Sequence, residues 1–441
     1  MNRPTVAIVG GGILGMTAAY RLAQAGVAVS LFERSSDLGG LVGSFEFDGH
    51  DVDRFYHVIL PTDDRVRGLA EELGLADRFR FRPTKVGFYD DGRLFSMTSP
   101  KEALTFPLLR FHERLRLGTF VARCQLTKDH TELDDTPLVE WLERTCGKRV
   151  TEKLWKPLLD SKFDGNYDDL PATWLWARTR RMGGTRDKQG REELGWLEGG
   201  YQTLIDALEQ RIVALGGEVK AGAAVEQIAG DRHGATGLVV DGRYRAFDFV
   251  LCTLAPPMAR SLLAPGLLER APADHCRYLG VISLLLRTKR SVSPYYHLNI
   301  TDRRVKLTTV VETTHVVDPV YVGGHLVYVS RYVEPGHPDH DRPADEIERE
   351  YVAYVKTIFP DLRDDEILAK VVQKARVTEP VHLVGGASRI PEMFPVPGLA
   401  MASTAHVYPE IVSGQAVTGV TERVVPGILE RLPAAAQEAA A

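Results

Sequence analysis

Residues 5–9, Thr-Val-Ala-Ile-Val, run without a polar interruption into Gly10-Gly11-Gly12-Ile13-Leu14-Gly15. A short β-branched apolar run of this kind is what a strand buried on both faces of a parallel sheet requires. A helical pattern follows over residues 14–25, Gly26 closes it, and residues 27–33 form a second apolar run that ends at Glu33. The glycines at 10, 12 and 15 therefore fall between a predicted strand and a predicted helix. In that setting the first makes the tight turn, the second lets the backbone approach a pyrophosphate, and the third permits close helix–strand packing. The amides of Ile13 and Leu14 would join the positive end of the helix dipole in holding the phosphates. Glu33 lies 21 residues beyond Gly12, close to the roughly 20 expected of an acid that accepts hydrogen bonds from ribose hydroxyls. The reading is an adenine dinucleotide site at the very start of the chain.

Composition narrows the alternatives. A chain of 441 residues exceeds the size at which single cores stop growing, so two domains are expected. A net charge of −5 without a basic face argues against a nucleic-acid partner. Cys124, Cys146, Cys252 and Cys276 are scattered, with neither CxxC nor metal-finger spacing, and read as reduced thiols; no metal site is expected. The chain enters its first strand without a leader-like apolar segment, and no apolar stretch approaches the roughly 20 residues of a membrane span. A cytoplasmic protein is the expectation, with a frayed tail at 433–441.

Further along, residues 63–75 read as a helix, and 88–96 as a hairpin around Asp91-Gly92. Residues 100–181 are mainly helical, with apolar repeats such as Leu138, Trp141 and Leu142, and Gly183-Gly184 and Gly190 mark a loop. A helix is expected over 201–215, strands over 218–225 and 244–253, strands through 280–332, a polar loop at 334–343, a helix at 344–359, and a last strand at 398–403. There is no internal repeat.

Several segments carry a resemblance. Glu33-Arg34-Ser35-Ser36-Asp37-Leu38-Gly39-Gly40-Leu41-Val42 resembles the second FAD-contact loop of the flavin amine oxidase superfamily, which includes protoporphyrinogen oxidases, phytoene desaturases and UDP-galactopyranose mutases. Residues 137–163 and Glu198-Gly199-Gly200-Tyr201-Gln202-Thr203-Leu204 are similar to segments of protoporphyrinogen-oxidase-like proteins. Residues 398–417 resemble their C-terminal flavin segment. The resemblance implies an α/β fold: a Rossmann-like FAD-binding domain interleaved with a mixed-sheet substrate domain and a helical insertion. The expected division is FAD-binding at 1–90, 191–270 and 386–432, a helical substrate or lid region at 91–190, and a substrate domain at 271–385. It also implies cofactor contacts from Arg34, Gly39, Gly40, Leu41 and Val42, and from the backbone of Val225 against adenine. Ser413, Gly414, Gln415, Ala416 and Val417, at the start of a helix, would aim N–H donors at the flavin edge where negative charge develops. The chain departs from the pattern at Leu41, where many amine oxidases have arginine. No cysteine stands in the C-terminal segment, so non-covalent FAD is expected.

The candidate catalytic residues are His57, whose ordinary pKa of roughly 6.5 suits proton transfer, and Lys162. Tyr56, Trp196, Tyr201 and Tyr296 are candidates for the substrate pocket, with Tyr295 and His297 beside them. Lys156 reads as solvated, and His337-Pro338-Asp339-His340 as surface. Residues 105–123, with Arg110, Arg114, Arg116 and Arg123 among Leu and Phe, read first as an ordinary amphipathic helix and second as a peripheral membrane contact. The expected activity is FAD-dependent removal of hydride from a C–H bond of a small organic substrate. The alternative is a non-redox sugar-nucleotide mutase using reduced FAD, motivated by the His57 region and by Arg178, Arg180 and Arg181.

Overall fold

The computed structural model describes residues 3–185 and 191–432; Gly190 and the tail at 433–441 lie outside the described residues. Five parallel strands form the first sheet, in the order Leu399–Met401, Phe249–Cys252, Thr5–Val9, Ala28–Phe32 and Glu218–Lys220. The unbroken apolar run at 5–9 takes the central place, with Val6 opposite Phe249 on one side and Val29 on the other. Helices Ile13–Gln24, Gly200–Ala214 and Gly414–Leu429 pack together on one face through Met16, Tyr20, Leu204, Leu208, Val420 and Val424, all buried. The other face carries a three-stranded antiparallel sheet, Val225–Asp231, Gly234–Val240 and Arg243–Ala246.

The second large sheet has seven strands, ordered Ile367–Val381, Arg277–Thr288, His325–Val333, Thr309–Glu312, His297–Ile300, Val86–Asp90 and Arg93–Ser96. All its pairings are antiparallel except His297–Ile300 with Val86–Asp90. Helix Ala344–Ile358 covers it with Ile347, Tyr351 and Val355. The helices between Pro100 and Gly183 form a separate apolar cluster that reaches the sheet through Phe88, Leu279 and Val381. The hairpin turns at Asp91 (φ 46°) and Gly92 (φ 73°), as that dipeptide predicts.

Four expectations need correction. The strand expected over 218–225 ends at Lys220; a turn with Gly222 at φ 73° follows, and Val225 opens a strand of the next sheet. The strand expected over 244–253 divides into Arg243–Ala246 and Phe249–Cys252, which belong to different sheets. Ile367–Val381, the longest strand, is absent from the sequence reading because lysines, an arginine and a glutamine interrupt its apolar pattern. Asp339 and His340 are not surface residues. They are buried, because Asp339 accepts from Arg331 at 2.6 Å and from Arg342 at 3.2 Å, which folds the loop inward. Among the described residues no helix is long and apolar enough to cross a membrane, and no His, Cys, Asp and Glu group could hold a metal.

Candidate active site

At the N-terminal turn the backbone does the positioning. Gly10 has φ 108°, and a side chain there would meet the Thr253 hydroxyl. At Gly15 a Cβ would be driven into the Gly10 carbonyl oxygen, so helix and strand can close only over a glycine. Gly12 differs from both: a Cβ built on it meets nothing nearer than the Gly39 carbonyl at 3.9 Å. The second glycine loop folds against this opening. Gly39 (φ 103°) donates its N–H to the Gly11 carbonyl at 2.8 Å, and Gly40 (φ 59°) faces Gly12. Helix Ile13–Gln24 begins at Gly12 with no side-chain cap, which leaves its first amides for a ligand. An anionic group therefore has a cradle between two glycine turns.

Glu33 closes that cradle. Its two carboxylate oxygens each accept one backbone N–H, from Gly11 at 2.7 Å and from Ser35 at 2.8 Å, and each keeps a lone pair for a hydroxyl donor. The amides of Gly222 and Ala223 donate to the carbonyls of Ser35 and Glu33, which brings Val225 to the same end of the sheet. These residues fit an adenine dinucleotide. Arg34 is exposed and Val42 is in the core, while Leu41 lines the large cavity.

That cavity, of about 460 Å³, is walled by the seven-stranded sheet, by helices Lys156–Phe163 and Ala172–Gly183, and by the start of helix Gly414–Leu429. Leu41, Val412, Ser413 and Gly414 line its inner end, and Ser413 caps the closing helix by accepting the Ala416 N–H. Ala416 and Val417 turn their side chains into the core. Gln415 does not face the cavity. Its side-chain oxygen accepts the Arg65 and Val66 amides at the start of helix Asp64–Glu72.

Of the residues singled out from sequence, the cavity brings together Tyr56, His57, Lys162, Tyr201 and Tyr296. His57 stands edge-on to Tyr201, 5.7 Å between ring centres, and its Nδ1 has no hydrogen-bond partner. Burial pushes its pKa down to about 4 against a hydrogen bond with the Phe55 backbone, so the ring is neutral at physiological pH. Lys162 lies at the opposite wall with Nζ 2.5 Å from Glu379 Oε2 and 3.5 Å from the Tyr332 ring centre. Burial pulls the ammonium below its ordinary pKa, and Glu379 opposes the shift. Burial works against the Glu379 charge in turn, but Lys162 and then Arg178 hold its pKa below the usual carboxylate value. The Tyr56 and Tyr332 hydroxyls meet at 3.1 Å, and His297 and Asn299 complete the wall. Trp196 is separate. It lines a second cavity of about 320 Å³ with His50, Asp53, Tyr321 and Tyr328, and His57 and Tyr296 stand between the two. Lys156 is half-buried and lies 3.8 Å from Glu143, outside the site. Glu379 and Tyr332 are absent from the sequence reading, since nothing local marks them.

The model of the family described as flavin containing amine oxidoreductase matches residues 15–422. The coproporphyrinogen III oxidase of Mycobacterium leprae is 29% identical over 240 residues, 48% of this chain and 51% of that one. The match spans about half the length of such curated relatives. Among solved structures, putrescine oxidase bound to putrescine superposes with a TM-score of 0.71 at 16% identity, over 98% of this chain and 100% of that chain. Reduced UDP-galactopyranose mutase gives 0.71 at 14% identity, over 99% of each chain. At these identities the two structures speak to the fold.

Two outcomes follow from the geometry. Since a Cβ on Gly12 makes no contact nearer than 3.9 Å, Gly12→Ala should leave the thermal unfolding midpoint of the stripped protein unchanged while weakening dinucleotide retention at least about tenfold. Flavin released per mole of purified protein measures the second quantity, and undiminished flavin would place the phosphates elsewhere. Asp53 supplies the pH dependence. Its Oδ1 is sealed without a partner, and burial pushes its carboxyl up to about 7 against a hydrogen bond from the Tyr201 amide. The unfolded chain releases that proton near 3.9. The folded state thus binds more protons across this window, and stability falls as pH rises through it, then levels above about 7. Asp53→Asn should remove this slope and exceed the parent at pH 8 by on the order of 4 kcal/mol in urea unfolding. Parallel pH profiles would contradict the assignment.

Proposed function

The chain belongs to the flavin containing amine oxidoreductase family, and from that premise we propose that this FAD-dependent oxidoreductase takes hydride from a C–H bond of a small organic molecule held in the large cavity. The carbon is one next to nitrogen or oxygen, or one in a bond being desaturated. The observation that carries the reading is the run of one cavity from Leu41, Ser413 and Gly414 to the polar wall of Lys162, Glu379 and His297. Gly10, Gly12, Gly15, Gly39 and Gly40, with the amides of Ile13 and Leu14, would hold the pyrophosphate, Glu33 the ribose, and the Val225 backbone the adenine. The N-terminal turn at residues 413–417 would face the flavin edge. None of the four cysteines lines the cavity, which supports non-covalent binding. Bound FAD supplies the hydride acceptor.

The protein's part is orientation and charge. His57, neutral and with an unpartnered Nδ1, can accept a proton or a substrate hydrogen bond. The Lys162–Glu379 pair holds the ammonium at a fixed place against Tyr332, where it can polarise a bound group. Anaerobic mixing of the oxidised protein with amines, alcohols and cyclic substrates should bleach the flavin with a cognate compound. Lys162→Met, retaining flavin, should slow that bleaching by about a hundredfold. Turnover that appears only after dithionite reduction, with no net redox change, would sink the oxidase reading in favour of a mutase.

We further propose that helix Phe111–Leu126 rests on anionic lipid. Phe111, Leu115 and Leu126 are 66%, 48% and 80% exposed on its outer side, with exposed Arg110, Arg116 and Arg123 beside them. Such a face favours an anionic membrane surface. Co-sedimentation with phosphatidylserine vesicles should be strong in low salt and should fall on Phe111→Ser with Leu115→Ser. Binding that survives the double substitution would refute this surface.

A further inference from the structure

Three arginines follow one another along helix Ala172–Gly183, and their side chains have different fates. Arg181 is 3.0 Å from Asp63, which also accepts the Leu60 amide. Arg180 donates to the Thr127 carbonyl and lies over Trp176, away from the cavity. Arg178 and Arg181 both line the cavity, and of the two only Arg178 makes no hydrogen bond or ion pair among the described residues. The cavity carboxylate Glu379 closes on Lys162 rather than on Arg178.

The guanidinium carbon lies 5.4 Å from the ring centre of Trp174. An arginine stacked on an aromatic face spends its planar surface on the ring and keeps its N–H edge for a bidentate acceptor. A guanidinium left without an anion in a cavity wall is costly unless a ligand supplies the partner. The surrounding groups record its field. After burial, Arg178 is the largest cause of the lowered His297 pKa, and it helps to hold down that of Glu379.

Resting on the flavoenzyme reading above, we infer that the substrate is an organic anion whose carboxylate or phosphate is clamped by Arg178. A smaller annex of about 130 Å³ continues the cavity past Lys162, Arg178, His297, Asn299 and Tyr332, and it does not touch Leu41, Ser413 or Gly414. The anionic end therefore points away from the residues proposed to face the flavin, and the carbon to be oxidised lies toward them. Tyr56, Tyr332 and Asn299, which line both the cavity and its annex, suit a ring or a hydroxylated frame between the two ends.

Ring-matched probes test this on the flavin-loaded protein. Benzoate, phenyl phosphate, benzamide and benzylamine are titrated while the visible flavin spectrum is followed. Benzoate or phenyl phosphate should bind at least about tenfold more tightly than benzamide and benzylamine. The tighter of the two identifies the anion. Arg178→Gln should erase that preference while leaving benzamide binding unchanged, and Arg178→Lys should restore part of it. Benzylamine or benzamide binding as well as both anions overturns the inference. So does an anion preference that survives Arg178→Gln. If the Arg178→Gln protein does not hold flavin, the ranking on the parent protein decides alone. A colourless protein that cannot be reconstituted with FAD would instead sink the reading on which this one rests, so the two failures are distinguishable.

Discussion

The first strand and first helix lie back to back only because nothing projects from Gly15 toward the Gly10 carbonyl. That contact sets the distance between sheet and helix, and the neighbouring elements are placed by it. Helices Gly200–Ala214 and Gly414–Leu429 both pack on Ile13–Gln24, so its position fixes theirs. Through them it fixes Tyr201 and Ser413, which line the cavity more than 180 residues away in sequence. The second glycine loop depends on the same turn, since its Gly39 amide is satisfied by the Gly11 carbonyl. A shift of the helix would uncouple all of these at once.

The polar wall rests on a different constraint. Lys162 comes from a helix and Glu379 from the edge strand of the seven-stranded sheet, and they meet across 217 residues of chain. Strand Arg277–Thr288 pairs with Ile367–Val381 along almost its whole length, which carries Glu379 to the register where it faces the helical region. Burial disfavours both charges, and each is kept by the other. Arg178 adds positive potential to that pair without joining it. The wall is therefore more electropositive than its ion pairs alone would make it.

This difference explains what could be read from sequence. The strand, glycine turn, helix and acid of the proposed dinucleotide end are legible because they are local, falling within about thirty residues, with Gly10 and Gly15 each held to glycine by the backbone. The Asp91-Gly92 hairpin is legible on the same ground. Glu379 is not, because a glutamate in a strand of alternating lysine and glutamine looks solvent-facing until its sheet neighbours and the helix above it are known. Asp339 reads as loop surface for a similar reason, since its burial comes with ion pairs to Arg331 and Arg342 rather than with any apolar pattern. Trp196 shows the converse: an aromatic side chain can sit beside a site, yet strand geometry turns it into the adjoining cavity.

The two ends of the cavity are thus held by different means, and this bears on how they respond to change. Backbone amides and glycine conformations shape the proposed dinucleotide end, so it is side chains added at its glycines that would disturb it. Side chains alone shape the far wall, where Arg178, His297, Asn299 and Tyr332 project from elements that the main-chain ladders and apolar clusters already secure. Exchanging one of them alters what the cavity recognises without disturbing the sheet that carries it. Fold and cofactor class then follow from the backbone, whereas substrate identity is written in side chains that meet only after the chain has folded.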